Sequence, residues 1–132
     1  MTTDTIQTNQ LSPAVYDWYI RYLETQDKLD VAAYGAYLAD DCVFQFANNP
    51  VVTGKAAILD GLQTFWSSIQ HNEHTLLNII GTDQKFGLEA LNTFTRLDGK
   101  RVTVPAFAIT ERNQAGFATS VRVFMDMTPV YA

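Results

Sequence analysis

TRLDGKRVTVPAFAIT, residues 95–110, is the stretch on which the fold turns. Asp98-Gly99 sits between two runs rich in Thr, Val, Phe and Ile. A tight hairpin asks for such a dipeptide, because its residues tolerate backbone angles that β-branched side chains avoid. The flanking segments, 85–97 and 101–112, therefore read as antiparallel strands. By two-residue hairpin pairing, Asn92 is expected opposite Pro105, on the Phe107 side. A segment at 74–81 precedes this pair, and a turn at 113–116 leads into another at 117–128. The C-terminal half is a four-strand meander.

The N-terminal half has a different period. Ser12-Pro13 reads as a helix N-cap followed by proline at the first helical position. AVYDWYIRYLETQD (14–27) then carries Val15, Trp18, Tyr19, Tyr22 and Leu23 on one helical face. Asp27-Lys28 breaks it. A second helix is expected over 29–38, a strand over CVFQF (42–46), and a loop over ANNPVVTG (47–54). The clearest helix spans 55–69, with Ile58, Leu62, Phe65, Trp66 and Ile69 recurring at three and four. Residues 1–11 are polar and are expected to be a flexible N-terminus, leaving 12–132 as a single domain. Helices followed by an antiparallel meander make the class α+β.

Composition narrows the function. The chain has 132 residues, 47% of them apolar, with eight Phe, six Tyr and two Trp. That much aromatic side chain suits a lined cavity or a well-filled core. The net charge of −5, with no long basic run, argues against nucleic acid or anionic membrane partners, which need clustered Lys and Arg. One cysteine, Cys42, allows no internal disulfide and fits a reducing compartment. No apolar run approaches the ~20 residues of a membrane span. The start, MTTDTIQTNQ, lacks the basic and apolar parts of a secretory signal. A soluble, cytoplasmic protein is expected.

Both histidines lie in HNEHTLLNII, residues 71–80. On a strand His71 and His74 point to opposite faces, and no Cys, Asp or Glu nearby completes a ligand set, so no metal is expected. His71 reads as an exposed loop residue. His74 sits at the mouth of an apolar strand. There it is either a satisfied structural residue or, above a cavity, a group that moves protons near neutrality.

The pieces YLADDCVFQF (37–46), NNPVVTGKAAI (48–58), TRLDGKRVTVP (95–105) and GFATSVRVFMDMTPV (116–130) resemble the nuclear transport factor 2-like, cystatin-like superfamily, in its SnoaL-like branch. The resemblance implies a cone, in which a curved antiparallel β-sheet wraps around N-terminal helices and encloses an apolar pocket. It also implies a homodimer through the outer sheet face. Carried over position by position, it removes some chemistry. The base and the protonated acid of ketosteroid isomerase fall on Phe46 and Phe107, and its helix tyrosine falls near Trp18 or Tyr19. The last-strand acid of SnoaL-like cyclases, after an arginine, falls on Val123 after Arg122. The middle-strand Arg-x-Asp of limonene epoxide hydrolase falls on Ala90-Leu91-Asn92, while its water-orienting Asn is matched by Asn48. Scytalone dehydratase gives a partial match: its tyrosine falls on Tyr22 and one of its histidines on His74.

The site expected on these grounds has His74, Tyr22, Asn48 and Asn92 as catalytic groups. Trp18, Tyr19, Phe46, Phe65, Trp66, Phe94, Phe107, Ile109, Val121, Val123 and Met125 would line the substrate pocket. Alternation along the last strand turns Asp126 away from that pocket, toward a structural role or an ion pair with Arg122 or Arg96. The expected activity is that of a cofactor-independent isomerase, cyclase or dehydratase on a small hydrophobic polyketide-, terpenoid- or aromatic-like ligand. The alternative is a non-catalytic, dimeric module that binds such a ligand. A protein–protein adaptor is a third reading.

Overall fold

In the computed structural model, which describes residues 1–132, the Asp98-Gly99 turn joins two twelve-residue strands, β5 (Lys85–Arg96) and β6 (Arg101–Arg112). The loop has three residues rather than two. Gly99 N donates to Arg96 O (2.9 Å), Arg96 N donates to Lys100 O (2.8 Å), and Gly99 takes φ +87°. A turn followed by a left-handed glycine absorbs one extra residue. That extra residue shifts the register, so Asn92 faces Val104 and Leu91 faces Pro105. Side chains alternate along a strand, so the slip exchanges faces for everything downstream. Val104, Ala106, Ala108 and Thr110 point inward, while Phe107 and Ile109 go to the outer face.

Five further strands complete one sheet: β1 (Thr8–Asn9), β2 (Leu38–Phe46), β3 (Val52–Thr53), β4 (Ile69–Thr82) and β7 (Ala118–Met125). The order is β1-β4-β5-β6-β7-β2-β3, so the sheet is not closed. Three helices are interspersed: α1 (Pro13–Asp27), α2 (Val31–Gly35) and α3 (Lys55–Trp66). A short α4 (Thr128–Tyr131) ends the chain. The class is α+β, as expected. No helix is long and apolar enough to cross a membrane.

Several boundaries differ from the sequence reading, each for a local reason. Residues 1–11 are not loose: Thr2 N donates to His74 O and Leu76 N to Thr2 O, Gln7 and Gln10 donate to Leu77 and Ile79 carbonyls, and Leu11 is buried. The segment satisfies the otherwise open edge of β4. The second helix stops at Gly35 because Tyr37 O accepts from Ala118 N and Leu38 pairs with Ala118, so strand pairing takes over. Asp40 and Asp41 thus lie within β2. Likewise α3 ends at Trp66, and Ile69 opens β4 instead of closing the helix. The last strand stops at Met125. Asp126 then accepts from Thr128 N (2.9 Å) at the start of α4 and pairs with neither Arg122 nor Arg96.

Helix α1 is held at its start by Ser12 Oγ, which accepts from Val15 N (3.3 Å). Its buried residues press Tyr19 and Tyr22 into the concave side of the sheet. Tyr19, Tyr22 and Tyr34 are each at most 2% exposed. Tyr22 and Tyr34 hydroxyls lie 2.8 Å apart, which satisfies two buried polar groups with one bond. Tyr19 meets Phe86 edge-on at 4.6 Å, and Trp18 stacks on Tyr22 at 5.5 Å. Burial raises all three phenols far above the usual tyrosine range, and it pushes the Cys42 thiol up to about 11.

Two outcomes are expected. Gly81 takes φ +134°, and a Cβ there would stand 2.4 Å from Lys85 O. Gly81→Ala should lower unfolding free energy by about 2–3 kcal/mol, measured by urea denaturation. The tyrosines set the alkaline limit. Unfolded phenols ionise at about 10, whereas the three buried ones keep their protons in the folded state. Above that pH the unfolded chain holds fewer protons, so stability is full below it and falls as pH rises. The slope should approach about 4 kcal/mol per pH unit, about 1.4 for each group. Phenolate absorbance should show three of six tyrosines titrating only with unfolding; early titration of all six would contradict it.

Candidate active site

Alternation on the long strands builds the site. Val15, Tyr19, Leu23 and Asp27 follow each other at intervals of four, which places one helical face of α1 over the sheet. At its end the Asp27 carboxylate reaches His74 of β4: Oδ1 lies 2.5 Å from His74 Nδ1, between side chains 11% and 5% exposed. Met1 nitrogen lies 3.3 Å from the other oxygen. His71 is also on β4, exposed and facing away, so the two histidines do not converge. No three His, Cys, Asp or Glu side chains come together anywhere in the fold.

His74 pairs across the sheet with Asn92, and Asn72, one step earlier on the same face, pairs with Phe94. All three are at most 6% exposed, and the side-chain oxygens of Asn72 and Asn92 have no hydrogen-bond partner. These side chains border an internal cavity of about 60 Å³, whose walls are otherwise almost wholly apolar. No Lys, Arg, Asp or Glu lines it. With Nδ1 committed to Asp27, the nitrogen left for anything in the cavity is Nε2.

Most of the residues picked from the sequence meet here. His74, Tyr22 and Asn92 border the cavity, together with Tyr19, Phe46, Phe65, Trp66, Phe94, Val121, Val123 and Met125. Four do not. Trp18 lies on the far side of Tyr22, its ring covered by the Arg112 guanidinium at 4.2 Å. Phe107 and Ile109 are on the outer face because of the register slip, and the Phe107 ring lies over Gly87, where a Cβ would stand 2.3 Å from it. Asn48 is exposed in the turn after β2, on the rim of a separate open groove.

Several polar residues at the site escaped the sequence reading: Asn72, Gln26, Tyr34 and Thr110 border the cavity, and Asp27 holds His74 from behind. In the sequence Asp27 reads as a helix breaker, yet its spacing from Tyr19 and Leu23 keeps it on the face turned to the sheet. An acid in the last turn also opposes the helix dipole, which is the signal that it serves something else. Asn72 fell in the loop that proved to be the start of β4.

The SnoaL-like domain family matches residues 19–120, well over half the chain. No functionally curated protein matches the sequence. Among solved structures, one from Shewanella denitrificans OS-217, assigned to the SnoaL-like polyketide cyclases, superposes with a TM-score of 0.78 at 14% identity, over 91% of this chain and 96% of that one. A Catenulispora acidiphila protein of ketosteroid isomerase-like fold, solved with trimethylamine, gives 0.77 at 15% over 90% of each chain. A limonene epoxide hydrolase-like enzyme from M. tuberculosis gives 0.73 at 16%, over 89% and 86%. At such identities the likeness speaks for the fold, the nuclear transport factor 2-like α+β architecture. With the family match spanning both the helical face and the meander that frame the cavity, this chain belongs to the SnoaL-like domain family.

Proposed function

We propose that this chain is a cofactor-independent acid/base catalyst, an isomerase, cyclase or dehydratase acting on a small hydrophobic substrate. One observation carries the reading: a buried imidazole, tied through Nδ1 to a buried carboxylate, in the wall of a cavity without any other charge. Asp27 holds the proton on Nδ1, so Nε2 presents its lone pair as a base. A proton leaves a substrate carbon beside a carbonyl and goes to Nε2. The resulting imidazolium stands against the Asp27 carboxylate, which offsets its charge in the apolar surroundings. Return of that proton to another substrate atom completes an isomerisation or a cyclisation. Its delivery to a departing hydroxyl, released as water, completes a dehydration. The side chains of Asn72 and Asn92 suit a carbonyl or hydroxyl, and the Tyr22–Tyr34 pair can share a hydrogen bond with either. Asn48 has no part in this chemistry.

The second reading, a non-catalytic binding module, draws on the apolar walls: 17 of the 22 residues bordering the cavity are hydrophobic. Such a site holds a ligand well without transforming it. A homodimer through the outer sheet face suits either reading, since Leu91, Phe107 and Ile109 share that face and are only partly covered. The setting we assign is the cytoplasm, in keeping with a lone reduced cysteine.

Turnover of a panel of hydrophobic hydroxy-ketones and enones separates the readings. Asp27→Asn and His74→Gln should each lower kcat about a hundredfold or more. The double variant should lose little beyond either one, because the two groups act as a unit. Binding that persists with no turnover by the wild-type chain would favour the module. Sedimentation should show a dimer that Leu91→Glu converts to a monomer; unchanged mass would discard that interface.

A further inference from the structure

An inner cavity of about 60 Å³ has room for a few water molecules, well below the ~300 Å³ at which small-molecule sites begin. It can take the reacting end of a substrate but not its body. The body needs a second space, and the fold supplies one. An open groove of about 1130 Å³ runs between the turn after β2, one side of α3 and the chain around α4. Five side chains, Phe44, Phe46, Leu62, Phe65 and Met125, border both spaces. Across the shared wall, the Phe46 and Phe65 rings stand 5.4 Å apart. Both rings are half-buried and make no hydrogen bond, so apolar contact alone closes the wall between the two spaces.

Resting on the reading of the inner cavity as the reacting site, we infer that the groove is the second half of one bipartite ligand site. The reacting head, a neutral carbonyl or hydroxyl, sits against Asn72, His74 and Asn92. An elongated apolar tail passes the Phe46–Phe65 wall and lies in the groove. The charges decide what the ligand is. No Lys or Arg borders either space, and the sole ionised group on the groove is Asp126, whose carboxyl is held below its usual range by the Thr128 hydrogen bonds at the start of α4. A phosphate, a carboxylate or an acyl carrier with its phosphates finds no counter-charge here and meets a like one. The ligand is therefore an uncharged, elongated, amphipathic molecule, free in solution rather than attached to an anionic carrier. Asn48, placed at the groove rim, then contributes to tail recognition.

Gly61 makes the test clean. It lies on the groove side of α3, exposed, and a Cβ there meets nothing within 4 Å. Gly61→Phe projects a ring into the groove from a position where the Cβ clashes with nothing, and it strengthens the helix, since glycine is a poor helix former. The probes are 2-alkanones from 2-butanone to 2-undecanone, and carboxylates of matching length, titrated by calorimetry. For the wild-type chain, affinity should rise about fourfold per added methylene along the ketone series. The carboxylates should bind at least about tenfold more weakly. In Gly61→Phe the rise with length should vanish, while 2-butanone binds as before. Affinity independent of length, an unchanged rise in Gly61→Phe, or carboxylates that equal the ketones would each overturn the inference. So would a fall in oligomeric mass on Gly61→Phe, which would make the groove a contact between copies of the chain. The reading of the chemistry fails separately. A length dependence that Gly61→Phe abolishes, in a chain with no His74-dependent turnover, upholds the groove and dismisses the catalysis.

Discussion

A carboxylate does not leave water without a partner, and in this fold that constraint fixes the most consequential contact. Asp27 stands on the buried face of α1, in a last turn where the helix dipole disfavours an acid. Its desolvation is offset by His74, 47 residues away on β4, and by the Met1 nitrogen at its other oxygen. A hydrogen bond to a charged group of this kind contributes about 1.5–3 kcal/mol, more than most single contacts in a small domain. The pair therefore seats the end of α1 on the sheet. The seat determines how deeply Tyr19 and Tyr22 reach into the concave side, and where the Tyr22–Tyr34 hydrogen bond can form. The same contact orients the imidazole, so under the proposed function holding the helix and preparing the base are one interaction rather than two.

The strands were legible because period two and turn chemistry are local properties. Asp98-Gly99 announced the hairpin, and the runs beside it announced long strands. What escaped was parity. Gly99 with a left-handed φ adds one residue to the loop, and one residue suffices to send Phe107 and Ile109 outward and to set Val104, rather than Pro105, opposite Asn92. Two-residue and three-residue turns draw on similar residues, so sequence alone chose poorly between them. The helix ends failed for another reason. Tyr37 and Ile69 fit an apolar helical stripe as well as a strand. The choice was made by partners distant in sequence, Ala118 for Leu38 and Arg96 for Ile69.

The site divides along the same line. His74 and Tyr22 were recognisable from residue type, placement and family likeness, and most of the aromatic lining followed from the apolar stripes. Asp27 was visible but misread, because a polar residue at the end of a stripe looks like its termination. Only the three-dimensional neighbour shows that the stripe continues through it. Asn48 failed in the opposite way: its local pattern matched, but Ala47 at φ +51° turns the chain and leaves Asn48 in the open. A pattern transfers a residue; it does not transfer the path of the backbone around it.

Asn72 and Asn92 bear on why the cavity is polar at one end. Each holds a buried oxygen without a protein partner, a cost of about 1–3 kcal/mol apiece against an apolar residue of similar shape. Leucine at either position would continue the surface made by Leu88, Ala90 and Phe94, and would close the cavity as well. A sequence tuned for stability alone would be expected to make that change, since the rest of the inner sheet already has. The two amides instead stand beside His74 on the inner face of the sheet. Local rules of folding are broken here and hardly anywhere else in the interior, and such breaks gather where a protein meets its ligand. Water can satisfy the amides in the empty state. A carbonyl or hydroxyl that replaces the water recovers the same hydrogen bonds and brings its carbon within reach of His74. The polar corner is thus costly to the folded chain on its own, and under the proposed function a bound ligand head would recover that cost.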